Sequence, residues 1–315
     1  MTTIRKNFSA RTRSFTRACA IWTRIISVST ATLSLLWGPF VPAFASDNTL
    51  PSGGVVESGS ISINAVSDSH LRIDQSTESG IINWREFSVG SSSRVEFAQP
   101  SVNSSTLNRV TGGQVSEIRG KMDAIGRVIL VNPAGVLFTA SAEVNVGSII
   151  ASTLDISTED FLDGRLLFSG ESTNAVINQG KIRVANGEYI AMVGARIVND
   201  GELVAPSGSA LLAAGSRVRL DMGGPLQIEV ESGALEAHIE NGGAIRASDG
   251  FVYLTARAAN DLLASTINHS GIIEATSISN VGGRVVLEGD AIDLEGAASI
   301  DASGELGGGD VLIGG

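Results

Sequence analysis

Asn178-Gln179-Gly180-Lys181-Ile182 returns along this chain as Asn199-Asp200-Gly201-Glu202-Leu203, as Asn241-Gly242-Gly243-Ala244-Ile245 and, more loosely, as Asn268-His269-Ser270-Gly271-Ile272-Ile273. Gly180 and Gly201 stand 21 residues apart, and Gly243 follows after 42, twice that spacing. In the first three copies a second glycine follows at Gly187, Gly208 and Gly250, and beyond it runs an apolar segment: YIAMVGARIV, SALLAAGSRV, FVYLTARA. A unit of this length holds two or three short strands and cannot bury its own apolar face, so it must stack on copies of itself. Parallel stacking at roughly 4.8 Å per coil gives a β-solenoid. Aligned asparagines at its corners can hydrogen-bond along the stack. Leucine-rich repeats have a similar period, but their LxxLxLxxN pattern and helical stripe are missing. The expected class is all-β.

The first 45 residues stand apart from this pattern and read as an extended signal peptide. Six basic residues (Arg5, Lys6, Arg11, Arg13, Arg17, Arg24) precede any acid, and an apolar run follows from Ile25 to Trp37. The run is short of the roughly 20 residues a membrane span needs. Ala43-Phe44-Ala45 is a small-x-small cleavage site that makes Ser46 the expected mature start, with no stable span left after cleavage. Loss of those six basic groups leaves 16 against 33 acids, a net charge of −17. That balance argues against nucleic acid as a partner, since phosphate binding needs a basic stripe. Cys19 is the only cysteine and leaves with the signal, so the mature chain has no disulfide and depends on hydrogen-bonded sheet and buried aliphatics.

Between Asn83 and Thr153 come NWREFSVG, VEFAQP, LNRVTGG and IRGKMDAIGRVILVNPAGVLF, ending in VGSIIAST. Short strands separated by Gly, Pro and Asn turns are what an all-β extracellular fold requires. In Asn132-Pro133-Ala134-Gly135, proline presets φ, asparagine can bond its own backbone and glycine closes a type I turn. Trp84, the only tryptophan after processing, reads as a core or cap anchor, and Arg109 as a group that satisfies carbonyls or a carboxylate near a turn.

The order of these motifs resembles the N-terminal haemagglutination-activity (secretion) domain of filamentous haemagglutinin-like exoproteins of two-partner secretion systems. Trp84 and Phe87 match the family's tryptophan-x-x-phenylalanine block, and Asn108-Arg109-Val110 its asparagine-arginine-valine signature. Its Asn-Pro-Asn-Gly turn, implicated in folding and secretion, is kept at Asn132, Pro133 and Gly135 but departs at Ala134; its Asn-Pro-Asn-Leu tetrapeptide has no clear counterpart. The resemblance covers Ser46 to about Gly170 and extends as a weaker repeat to Gly315. It implies a right-handed parallel β-helix with an N-terminal β cap and short extra-helical strands, a secretion-domain core over 46–170, and β-helix repeats over 171–315. It also implies export through the periplasm of a Gram-negative bacterium to the medium or cell surface. The implied partner is an outer-membrane β-barrel transporter whose periplasmic domains recognise the chain. Adhesion to a host-cell or matrix receptor is the family's usual purpose. The ending GGGDVLIGG lacks a polar solenoid cap, which predicts a C-terminal truncation.

A catalytic reading finds little support. His70, His238 and His269 are scattered and read as surface or turn residues. HExxH, GxSxG, P-loop and dinucleotide motifs are missing, so no metal or cofactor is expected. Carboxylate pairs such as Glu159 with Asp160, or Asp290 with Asp293, read as solvated surface. The alternatives carried forward are a β-helical polysaccharide lyase or hydrolase and a purely structural surface or biofilm solenoid.

Overall fold

The computed structural model describes residues 47–221, 227–259, 265–277 and 282–314. The basic and apolar segment 1–45 and the Ala43, Ala45 and Ser46 junction lie outside the described residues. From Asp47 onward the chain winds as a parallel β-helix of three faces. One coil shows the path: Ser105–Val110 lies on the first face, Ser116–Ile118 on the second and Lys121–Ala124 on the third. Arg127–Val131 then returns to the first face, pairing in parallel with Ser105–Val110. Among the described residues, the first and third faces each hold ten strands and the second holds seven.

The N-terminal end is closed by antiparallel pairing. Val55–Ser58 runs against Ser79–Trp84, and Ile61–Ser67 against His70–Gln75. Reversal of direction here ends a parallel stack that would otherwise present an open edge.

Two excursions leave the coil at the same corner, between the first and second faces. The first carries Asp155–Ile156, a one-turn helix Thr158–Leu162 and Leu166–Ser169; the second is the hairpin of Arg217–Asp221 and Gln227–Ser232. Together they form a four-stranded antiparallel sheet, with Leu166–Ser169 pairing Arg217–Asp221. The 42-residue step between Gly201 and Gly243 is therefore one coil with a hairpin inserted.

This extra sheet packs on the outside of the first face and encloses a second core that includes Ile129, Ile150, Phe168, Leu211 and Val218. The first-face strands beneath it are buried on both sides. Such strands read as continuous apolar runs, and Tyr189–Gly194 and Ser209–Ala214 are buried at every position. The main core fills the solenoid interior, where Met122, Val144, Ile182, Leu203 and Ile245 stack in register from coil to coil.

Asparagines stack at the end of the second face. Asn178 Nδ2 donates to Asn199 Oδ1 (2.8 Å), and Asn199 Nδ2 donates to Asn241 Oδ1 (2.7 Å), all three fully buried. The fourth rung differs from the sequence alignment. His269, not Asn268, pairs with Asn241. Its Nδ1 lies 3.0 Å from Asn241 Nδ2, and the ring is fully buried, not at the surface. The glycine two residues on sets the register, because His269-Ser270-Gly271 has the spacing of Asn241-Gly242-Gly243. A Cβ on Gly201 would stand 2.2 Å from the Gly180 carbonyl oxygen, and one on Gly243 2.2 Å from that of Gly201. Only glycine permits so close a turn-on-turn approach. The second glycines stack one residue out of step at the start, since Tyr189 pairs with Ser209 and so sets Gly208 beside Glu188.

Candidate functional site

The motif residues gather where the cap, the first face and the extra sheet meet. Trp84 and Asn108 sit on neighbouring first-face strands. The indole Nε1 donates to Asn108 Oδ1 at 3.0 Å, and Asn108 Nδ2 reaches the carbonyls of Ile129 and Thr106, both at 3.3 Å. Phe87 meets the indole edge to face, with centroids 5.5 Å apart and planes at 81°. All three side chains are buried. A buried tryptophan needs a partner for its N–H, and here a buried asparagine supplies it.

Arg109 follows Asn108 and, by strand alternation, points to the opposite side of the sheet. Its guanidinium binds four groups from three regions. Nε donates to Asp155 Oδ1 (2.9 Å), Nη2 to the Ile156 carbonyl (2.8 Å), and Nη1 to Glu57 Oε2 (3.0 Å) and Asn83 Oδ1 (3.2 Å). Glu57 belongs to the cap, Asn83 to the first face and Asp155 to the extra sheet. Glu57 also accepts from Thr158 Oγ1 (2.6 Å) and Asn83 Nδ2 (2.7 Å). The Thr158 hydroxyl first, then Asn83 and Arg109, hold its carboxyl below the usual range.

Asn132-Pro133-Ala134-Gly135 is a tight turn closed by a bond from Gly135 N–H to the Asn132 carbonyl (2.9 Å). Asn132 is buried and saturated. Its Oδ1 accepts from Ala134 N–H (2.9 Å), and its Nδ2 donates to the Gln114 carbonyl (2.8 Å) and Ser116 Oγ (2.9 Å). The exposed Pro133 offers its carbonyl to Ser172 Oγ (2.6 Å) and Asn174 Nδ2 (2.8 Å). Gly135 has φ +120, a conformation that a side chain strains. Ala134 contributes only its backbone N–H to these bonds, so a second asparagine is not required for them. Arg109, Asp155 and the turn line one cavity of about 260 Å³. The structure therefore brings Arg109 and the turn together, and sets Trp84 and Asn108 on the inner side of the first face, with Phe87 packed on the indole just beyond the strand end.

The chain matches the TPS secretion domain over residues 46–306. It belongs to that family. The match continues well past the stretch that carries the motifs. Two heme/hemopexin-binding proteins of Haemophilus influenzae are similar to this TPS domain: one is 33% identical over 278 residues, covering 84% of this chain, and the other 28% identical over 281 residues, covering 82%. The chain spans 30% of the length of each relative. Among solved structures, the HMW1 secretion domain from Haemophilus influenzae superposes with a TM-score of 0.68 at 27% identity, covering 83% of this chain and 76% of that one. Proteins with a TPS domain are exported through the periplasm of Gram-negative bacteria and are secreted or surface-associated, and the domain implies an outer-membrane transporter as partner.

Asp160 and Asp290 take structural roles, while Glu159 and Asp293 are exposed. Glu159, Asp160 and Asp163 all contact Arg165. Asp160 also accepts from the Ser157 hydroxyl, the leading cause of its depressed pKa. Asp290 holds the Ser265 backbone N–H (2.9 Å) and hydroxyl (2.8 Å). Among the described residues, no group of three or more His, Cys, Asp or Glu side chains could hold a metal ion, and no helix is long and apolar enough to cross a membrane.

Sequence reasoning missed the hub formed by Glu57, Asn83, Asp155 and Thr158 around Arg109. Nothing local marks these residues, because the shortest separation from Arg109 within the hub is 26 positions.

Proposed function

We propose that the domain is recognised in the periplasm, before it folds, by an outer-membrane transporter's periplasmic domains, and that outside the cell it folds first and templates later coils. The observation that carries this reading is the use of the family-signature residues as internal joints. Asn108 is buried against Trp84, Asn132 is saturated by its own turn and the preceding coil, and Arg109 ties cap, face and extra sheet together. Such groups are unavailable to a partner once the domain has folded, so a transporter reads them only before folding, and in the folded domain they serve as its joints. Segment 1–45 serves as the signal, cut after Ala45. Adhesion is the role we assign to the whole exoprotein. The name of the relatives favours a second reading, capture of heme or its carrier hemopexin.

The test is secretion of the chain with and without a co-expressed partner transporter, alongside Asn132→Ala and Pro133→Ala. Transporter-dependent appearance in the medium, reduced in Asn132→Ala, is the expected result. Periplasmic retention with every transporter tried would sink the reading. Release equal to wild type from an Asn132→Ala chain shown to fold poorly would break the link between folding and export. Hemopexin retention on the immobilised chain, compared with host-cell binding, separates the two readings of the exoprotein.

A further inference from the structure

The outward side of the first face carries an apolar stripe in unbroken register: Ile150, Ala191, Leu211, Tyr253, Val286 and Leu312. The first three are fully buried under the four-stranded sheet. That cover ends at Gln227–Ser232, the last strand of the sheet. Beyond it, among the described residues, Tyr253 and Val286 are half-buried. A cavity of about 410 Å³ lies between this edge and the face, lined in part by Val230, Tyr253 and Arg257.

Within the edge strand, Ile228 and Val230 point into the second core while Glu229 faces solvent. The Val230 carbonyl accepts from Arg257 Nη1 at 3.1 Å. A long, exposed side chain thus stands where the backbone N–H of a further strand would. Charge chooses among occupants. Glu231 is held by Arg217 and Arg219, while Glu229 lies across the strand pair from Arg219, whose guanidinium feels its charge, with no ion pair within 4 Å among the described residues. Glu229, Glu288 and Asp290 line the cavity with Arg257, an excess of two negative charges. A second copy adding antiparallel through this strand would bring Glu229 and Glu231 against their own kind, which is unfavourable.

We propose that the Gln227–Ser232 edge and the Tyr253–Val286 stripe accept an extended strand from another polypeptide, whose residues alternate between apolar and basic. Its main chain continues the four-stranded sheet, its apolar side chains cover the stripe, and its Lys or Arg residues lie beside Glu229. Arg257 swings out as the strand enters. This docking belongs to the folded domain and stands independently of how the chain is exported.

The probe is a fluorescent ten-residue peptide alternating Val and Lys, added to the full chain and followed by anisotropy and by hydrogen exchange. Binding that slows exchange within 227–232 is expected. Methylation of alternate peptide nitrogens on one edge keeps the charge but blocks sheet extension, and should weaken binding at least about tenfold. Glu229→Lys, an exposed change whose folding is checked by thermal melting, should weaken it severalfold. No binding, equal binding of the methylated peptide, or exchange unchanged in 227–232 would overturn the proposal. Self-association through 227–232 without peptide would instead make a second copy the occupant.

Discussion

Asn132 shows how one side chain can hold two coils in place. Its amide and carbonyl serve Gln114, Ser116 and Ala134 at once. Asn132→Ala takes the amide away from the buried Ser116 hydroxyl and from the part-buried bonds to the Gln114 carbonyl and the Ala134 N–H, at about 1–3 kcal/mol for an orphaned buried group. A loss of about 2–3 kcal/mol is expected in urea titration, and Pro133→Ala, which affects mainly backbone freedom, should cost under about 1 kcal/mol. Tyr189 presents the opposite case. Its phenol is buried with no hydrogen-bond partner, and burial pushes its pKa up. Tyr189→Phe removes an unsatisfied hydroxyl at little cost in volume, so it should leave stability unchanged or raise it by about 1 kcal/mol. A loss larger than about 1 kcal/mol in the same titration would mean that the hydroxyl has a partner. The Asn108 and Asn132 motifs were visible as sequence, yet their chemistry was not. Their partners lie on other coils, and only the register of the stack brings them together.

At the scale of elements, the Glu57–Arg109–Asp155 hub decides how cap and extra sheet are fastened to the first face. Glu57 has a folded pKa below its unfolded one, so the unfolded state binds more protons as pH falls. Its stabilisation is full above the unfolded value of about 4.5 and is lost as pH drops through the folded value. Glu57→Gln should therefore flatten part of the acid limb of stability below the unfolded value and cost stability at pH 7. Denaturant melts at several pH values read this directly. A wild-type slope in the variant would assign the acid limb to other carboxylates, such as Asp47 and Asp74, which are also depressed. The asparagine ladder is a second element that works as a unit. Asn199→Ala orphans Asn241 Oδ1 and leaves Asn178 Nδ2 with only its 3.3 Å bond to the Gly180 carbonyl, and should cost about 2–4 kcal/mol. The ladder was legible from the repeat, because Asn-x-Gly recurs with the coil. Its histidine rung was not, since the eye aligns Asn268 with asparagine, whereas the backbone aligns on the glycine that must fit beneath a carbonyl.

For the whole molecule, the repeat was sufficient to give the solenoid because coil stacking is nearly one-dimensional. The extra sheet was harder to read: its strands Leu166–Ser169 and Arg217–Asp221 are 48 residues apart between paired Ser169 and Arg217, and each resembles a coil strand in isolation. Its trace in the sequence is indirect, in the runs YIAMVG and SALLAA that must be buried on both sides. That cover divides the solenoid. Coils through Ala214 have a core on each side of the first face, whereas in Phe251–Ala256 only the half-buried Tyr253 touches the outer core and in Arg284–Glu288 only the inner core is met. Exchange of a buried amide follows the free energy of the opening that exposes it, so protection should be highest over the first-face strands 127–214 and lower over 251–256 and 284–288. Mass-spectrometric hydrogen exchange would show this as a step between Ser209–Ala214 and Phe251–Ala256, where the cover ends. Equal protection on both sides of that boundary would mean that the extra sheet adds nothing to the coils beneath it. A step elsewhere would place the cooperative boundary away from the hairpin. Ile228→Asp, which puts a charge into the second core, should abolish the step by lowering protection of the covered strands while leaving 251–256 nearly unchanged.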